Sequence, residues 1–241
     1  MTATLPICGL NKTTLLDYPE HVAATIFLGG CNFRCPFCHN SELISDYGAY
    51  ISYSEQDILS HLIKRKNILS GVCITGGEPT IHPSLPTFIK DIKNLGYQIK
   101  LDTNGTNPEM LNLLIKNQLI DYVAMDIKAD INHYALLCGF EADSFVFRSM
   151  FEKILASISI LQNSNIDYEF RTTYIRELHD LTQVENICHW LNNSMAYYIQ
   201  NFELSDHVIT TDLTSFSDTT LKEFATICTD HFKKVGIRGI S

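Results

Sequence analysis

The sequence predicts an α/β protein whose parallel strands curl into a full or partial barrel of about six βα units. Three observations carry that reading. Apolar, β-branched runs alternate with amphipathic helical segments along most of the chain, and strand, helix, strand in repetition implies right-handed parallel crossovers. The polar motifs "TGGEP", "DTNG" and "DIK" each fall at the C-terminal end of a successive strand, so they converge on one mouth as barrel sites do. An open doubly wound sheet would instead place its site at a switch point, often with a glycine-rich phosphate loop after the first strand. Here the first strand runs into a cysteine loop.

The elements follow in order. "HVAATIFL" (21–28) is the first predicted barrel strand, with residues 1–21 read as an extension leading into it, and the chain as a single domain over 1–241. "SEQDILSHLIKRKN" (54–67) opens on a serine cap and has helical apolar spacing. "GVCITG" (71–76), the helix "SLPTFIKDIKNLG" (84–96), "QIKLDTNG" (98–105), the helix "NPEMLNLLIKNQ" (107–118) and "DYVAMDIK" (121–128) continue the alternation. Beyond an irregular stretch at 129–147, read as a flap beside the mouth, come "FEKILASISILQNS" (151–164), "DYEFRTTYI" (167–175), "LTQVENICHWLNNS" (181–194) and "AYYIQNF" (196–202). A helix over 219–235 and a short strand "VGIRGI" close the chain. Trp190 shares helical spacing with Val184 and Ile187, which places it in the core.

Bulk properties narrow the function. A length of 241 residues, 45% hydrophobic, suits an ordinary globular domain. A net charge of −9 opposes a broad nucleic-acid face, which needs surplus Lys and Arg on one surface. No apolar run is long enough for a bilayer, and the N-terminus has no secretory pattern, so a cytoplasmic location is expected. Of eight cysteines, Cys31, Cys35 and Cys38 cluster and five stand alone. In a reducing compartment that favours a metal site over a disulfide framework.

A C-x3-C-x2-C loop supplies three thiolates to a four-iron cluster and leaves one iron open to an outside ligand. Zinc bound by the three cysteines and His39 is the competing reading. It is the weaker one, because His39 directly follows Cys38 and must turn back onto the same ion.

Cys31, Cys35 and Cys38, with "TGGEP" at 75–79, resemble the signature of the radical S-adenosylmethionine (radical SAM) superfamily. "LLDYPE", "CPFCHN", "GVCITGGEPT", "KLDTNG", "DYVAMDIKA" and "FRTTY", in that order, are similar to the activating enzymes of glycyl radical enzymes. The resemblance is greatest to the anaerobic ribonucleoside-triphosphate reductase activating proteins, with the pyruvate formate-lyase activating enzyme a near relative. It implies a partial parallel (β/α)6-type TIM barrel of the radical SAM kind, one [4Fe-4S] cluster and S-adenosylmethionine, whose amino and carboxylate groups chelate the open iron. One electron then splits the sulfonium, and the resulting 5′-deoxyadenosyl radical takes a hydrogen from the substrate. The implied substrate is a glycyl radical enzyme, and the implied electron donor a flavodoxin or ferredoxin.

The resemblance also assigns residues. Phe37 and His39 would flank the adenine, with Asn40 nearby, and Gly76, Gly77 and Glu78 would face the methionyl amino group. Asp102 and Asn104 would lie beside the methionyl end, and Asp126 and Lys128 would contact the cofactor. Two residues apart on a strand, Asp126 and Lys128 share a face. Arg171 would pair with the methionyl carboxylate or form a barrel salt bridge, and Gln200 is a weaker candidate. Some members hold a monovalent cation, for which Asp102 and Thr103 are the matching positions. The chain departs from the pattern at Glu20, where glycine is common after "DYP", and at Gly29, where glutamine commonly precedes "GC". Two alternatives stand: a radical SAM enzyme acting on a small molecule or another peptide, and a non-catalytic three-cysteine metal module.

Overall fold

Strand follows strand across a single eight-stranded sheet in the computed structural model, which describes residues 4–142, 144–205 and 208–240. The strands are β1 (Ile7–Thr14), β2 (Ala23–Leu28), β3 (Gly71–Gly76), β4 (Gln98–Thr103), β5 (Tyr122–Asp126), β6 (Asp167–Tyr174), β7 (Ser194–Asn201) and β8 (Phe232–Arg238). They lie in that order in space. β1 runs antiparallel to β2, and every later pairing is parallel. Among the described residues β1 and β8 do not pair, so the sheet is a partial barrel, open between its two edges.

Helices α1 (Glu55–Arg65), α2 (Leu85–Asn94), α3 (Pro108–Lys116), α4 (Tyr134–Leu137), α5 (Phe145–Gln162), α6 (Leu181–Trp190) and α7 (Asp218–Cys228) form the crossovers. Their starts are written locally. Ser54 closes a capping box with Asp57, and Asn107, Ser144, Asp180 and Ser217 each accept a hydrogen bond from a first-turn backbone N–H. Their buried faces meet the sheet: Ile58 and Leu62 of α1, and Phe88, Ile89 and Ile92 of α2, join one continuous core with Ile26, Ile74 and Leu101. Trp190 packs on that core, edge-on to Tyr134. No helix of the described residues is long and apolar enough to cross a membrane.

Four expectations change. The stretch read as an extension contains β1; its residues 1–3 lie outside the described residues. The region 129–147 is no flap. Tyr134, Ala135, Leu137 and Cys138 are buried, the turn of α4 packs on the cysteine loop, and α5 already begins at Phe145; residue 143 lies outside the described residues. α7 stops at Cys228 rather than at 235, and the last strand starts at Phe232, because Ser194 to Gln200 of β7 need a partner along their whole length. The seven predicted strands are otherwise present in the predicted order.

Candidate active site

β2 delivers the chain to the mouth at Leu28, and the cysteine loop is then fixed from several sides. Gly30 N donates to Leu43 O (2.6 Å), Cys31 N to Ile44 O (3.3 Å) and Arg34 N to Cys138 O (2.9 Å). The Arg34 guanidinium donates to the carbonyls of Cys31 (2.8 Å) and Phe33 (2.7 Å). His82 donates from Nε2 to Gly29 O (2.8 Å), and burial holds its pKa below the usual value. Asn32 ties the loop to the end of β4: its amide donates to Thr106 Oγ1 (2.7 Å), and its carbonyl accepts from the Asn104 amide (2.8 Å).

"TGGEP" is clamped against that loop. A Cβ on Gly77 would stand 2.0 Å from Gly30 O. One on Gly76, whose φ is +118°, would stand 2.3 Å from Leu28 O. Only glycine lets these backbones touch. Asn40 completes the join by donating to Gly76 O (3.0 Å). Glu78 is buried and accepts from Thr80 N (3.1 Å), Thr80 Oγ1 (2.5 Å), Thr103 Oγ1 (2.7 Å) and Asn104 N (2.6 Å). Burial pushes its pKa up against those bonds. The carboxylate thus fastens the end of β3 to the end of β4.

A ladder of charge crosses the floor. Lys100 pairs with Asp102 Oδ1, and Arg171 donates from Nη2 to Asp102 Oδ2 (3.1 Å) and from Nε to Asp126 Oδ1. Lys128 donates to Asp126 Oδ2 (2.8 Å). The parallel register sets Asp126 beside Arg171. Burial alone would raise both aspartates, but the neighbouring cations, Arg171 first, hold them below the usual carboxylate range. Burial would lower Lys128, and Asp126 more than reverses that. His179, also buried, donates to Lys128 O (3.0 Å) and accepts from Ile175 N (3.1 Å), which fixes the turn after "DIK".

All thirteen predicted site residues line one cleft of about 270 Å³: Cys31, Cys35, Cys38, Phe37, His39, Gly76, Gly77, Glu78, Asp102, Asn104, Asp126, Lys128 and Arg171. Asn40, Thr103 and Gln200 line it too, and so do Phe33, Ile44, Thr75, Thr173 and Asn201, which sequence reasoning missed. Period-two spacing from Arg171 would have found Thr173. Nothing local marks Asn32 or His179, because their partners are distant in sequence.

The donor set fits a four-iron cluster. Cys31, Cys35 and Cys38 face the same cleft, the three thiolates that a four-iron cluster with one open iron would take from the chain. His39 lines the same cleft and donates from Nε2 to Glu203 O (2.6 Å). Burial pushes the Cys31 thiol up to about 12 and raises Cys38. Cys35 is lowered by its hydrogen bond with Cys138 and by Lys128, against burial.

The sequence profile of the Radical SAM superfamily matches residues 25–191 of the chain. The chain belongs to the radical SAM superfamily. It is 33% identical over 205 residues to a Methanocaldococcus jannaschii protein provisionally named a glycyl-radical enzyme activating enzyme, covering 83% of this chain and 81% of that one. A shorter likeness, 37% over 81 residues, joins it to the 7-carboxy-7-deazaguanine synthase of Aquifex aeolicus, covering 34% of this chain and 35% of that one. In fold it is similar to the crystal structure of QueE from Escherichia coli, with a TM-score of 0.54 at 17% identity, covering 96% of this chain and 93% of that one. The chain is a radical SAM oxidoreductase, and the family implies a [4Fe-4S] cluster and S-adenosylmethionine for it.

Proposed function

We propose that this radical SAM enzyme is a single-domain activating enzyme that abstracts a glycyl Cα hydrogen from a partner protein and leaves a stored glycyl radical there. The first candidate for the partner is an anaerobic ribonucleoside-triphosphate reductase, and for the electron donor a flavodoxin or ferredoxin. The observation that carries the reading is the likeness to the provisionally named activating enzyme over four-fifths of both chains. The likeness to the deazaguanine synthase covers a third of each chain and says nothing of the acceptor. The sheet, open between β1 and β8, gives a partner's loop a way in from the side.

In this proposal Cys31, Cys35 and Cys38 hold the cluster. Bound there, the cluster and S-adenosylmethionine supply reductive cleavage of a carbon–sulfur bond and a carbon radical. The chain's own residues hold the pieces in register. Lys128 and Arg171 present positive charge to the anionic methionyl end, and the clamped glycines offer backbone without a side chain in the way. Phe37 and His39 flank the adenine. Glu78 and Asn32 keep the three mouth loops at fixed spacing.

The test is anaerobic reconstitution with iron and sulfide, reduction by dithionite and assay of 5′-deoxyadenosine, with Cys35→Ala as control, followed by incubation with candidate partners and their glycine-to-alanine variants. Cleavage lost in the control, together with a glycyl doublet in the paramagnetic resonance spectrum of one partner, is the expected result. Cleavage with no protein radical in any partner, but with a modified small molecule, would assign the acceptor otherwise.

A further inference from the structure

The resemblance offers a monovalent cation at Asp102 and Thr103, and the residues do not fit one. Each carboxylate oxygen of Asp102 and Asp126 already accepts from a cation of the chain: Lys100 and Arg171 on the first, Arg171 and Lys128 on the second. Arg171 spans the gap between the two carboxylates. The Thr103 hydroxyl is also committed, donating to Glu78 Oε1 (2.7 Å) and accepting from Gly105 N (3.1 Å). A hard alkali ion needs several free oxygens at once, and it would here face a fixed guanidinium. The cluster is largely withdrawn from solvent, with side-chain exposures of 2% for Lys100, 12% for Asp102 and 13% for Arg171.

We propose that Arg171 is the built-in counter-cation of this mouth, so that the anionic end of S-adenosylmethionine binds without any metal cation. The inference rests on the reading of this cleft as the cofactor site. Three bases against two acids leave the ladder one positive charge in excess, which one carboxylate would neutralise. A guanidinium, planar and charged at every working pH, suits this bridging place better than an ammonium, because its fork holds both aspartates in one geometry. The site then has no alkali ion to lose when ionic conditions change.

The test measures S-adenosylmethionine binding to the reconstituted protein by equilibrium dialysis, in potassium, sodium and choline chloride at one ionic strength. The wild-type dissociation constant is expected to agree within about twofold across the three salts. Arg171→Met is expected to bind at least about tenfold more weakly in choline and to regain several-fold in potassium or sodium, which can enter between the freed carboxylates. Its melting temperature should rise with the same ions and not with choline. Arg171→Lys, which keeps the charge but not the fork, should fall between the two and serves if the methionine variant does not fold. Wild-type binding that weakens tenfold in choline overturns the inference alone, and so does an Arg171 variant indifferent to the added ion. Absence of wild-type binding in every salt overturns the cofactor reading and this inference with it.

Discussion

Glu20 has φ at +64°, in the left-handed region that a side chain makes costly. It closes the "DYPE" turn between β1 and β2, the place where the resemblance leads one to expect glycine, so the departure seen in the sequence sits on a backbone that favours glycine. The left-handed conformation costs a residue with a Cβ roughly 1–2 kcal/mol, and glycine gives back about half of that through its looser unfolded chain. Glu20→Gly is therefore expected to stabilise the protein by about 0.5–1 kcal/mol, read as a higher midpoint in urea with an unchanged slope; a lower midpoint would show that the Glu20 side chain matters more than its backbone. The other departure has a steric cause. A Cβ on Gly29 would stand 2.6 Å from the Tyr47 ring, so this chain has an aromatic where a longer residue at 29 would need room. Both departures were legible in the sequence; their reasons needed a dihedral angle and a neighbour eighteen residues away.

The elements that the sequence concealed are those whose residues are partly polar or too few for a period to show. β1, "ICGLNKTT", is an edge strand with Asn11, Lys12 and Thr13 exposed, so its alternation is diluted. α5 begins with Phe145 and Val146, 83% and 61% exposed, which blurs its apolar face at the start. α4 has four residues, fewer than any periodicity test requires. That short element nonetheless supports the site. Gly139, just past it, has φ at +84°, and a Cβ there would stand 2.5 Å from Arg34 O, between two candidate cluster ligands. Gly139→Ala combines left-handed strain with a clash against backbone, so a destabilisation of at least about 2 kcal/mol is expected. Because the clash falls on the cysteine loop, iron bound per chain after reconstitution should also fall. Full iron loading in a folded Gly139→Ala protein would show that α4 does not hold the loop in shape.

Across the whole molecule, alternation and strand-end motifs were enough for a parallel barrel, full or partial, and its mouth, since both are written in local sequence; that the barrel is partial was implied by the resemblance. The polar interior was not. Parallel strands commonly read as apolar on both faces, and Lys100, Glu169 and Arg238 look like ordinary surface charges until the sheet curls them inward. The spacing rule that paired Asp126 with Lys128 applies equally to Lys100 with Asp102 and to Glu169 with Arg171, and only the three-dimensional register shows that these pairs face one another.

Another interior pair ties edge strand β8 to the strands behind it. Arg238 of edge strand β8 reaches across β7 to Glu169 of β6 in a bidentate bond of 2.7 and 2.8 Å, with its guanidinium 3.9 Å above the Tyr198 ring. Glu169 is fully buried and has, among the described residues, one further hydrogen-bond partner, the Tyr122 hydroxyl at 2.8 Å. Removing the arginine alone strands a buried carboxylate, a change that typically costs about 3–5 kcal/mol. Arg238 is partly solvated, its side chain 29% exposed, so the lower end of that range is expected for Arg238→Met. The double variant Glu169→Gln with Arg238→Met removes the stranded charge and should recover about 2 kcal/mol, leaving the lost cation–π contact of roughly 0.5–1 kcal/mol and a weaker edge. Urea unfolding of the two single variants and the double supplies the cycle. A coupling energy near zero would mean that β8 is held by its ladder bonds to β7 alone, and that the interior charges of this half-open barrel serve only the mouth.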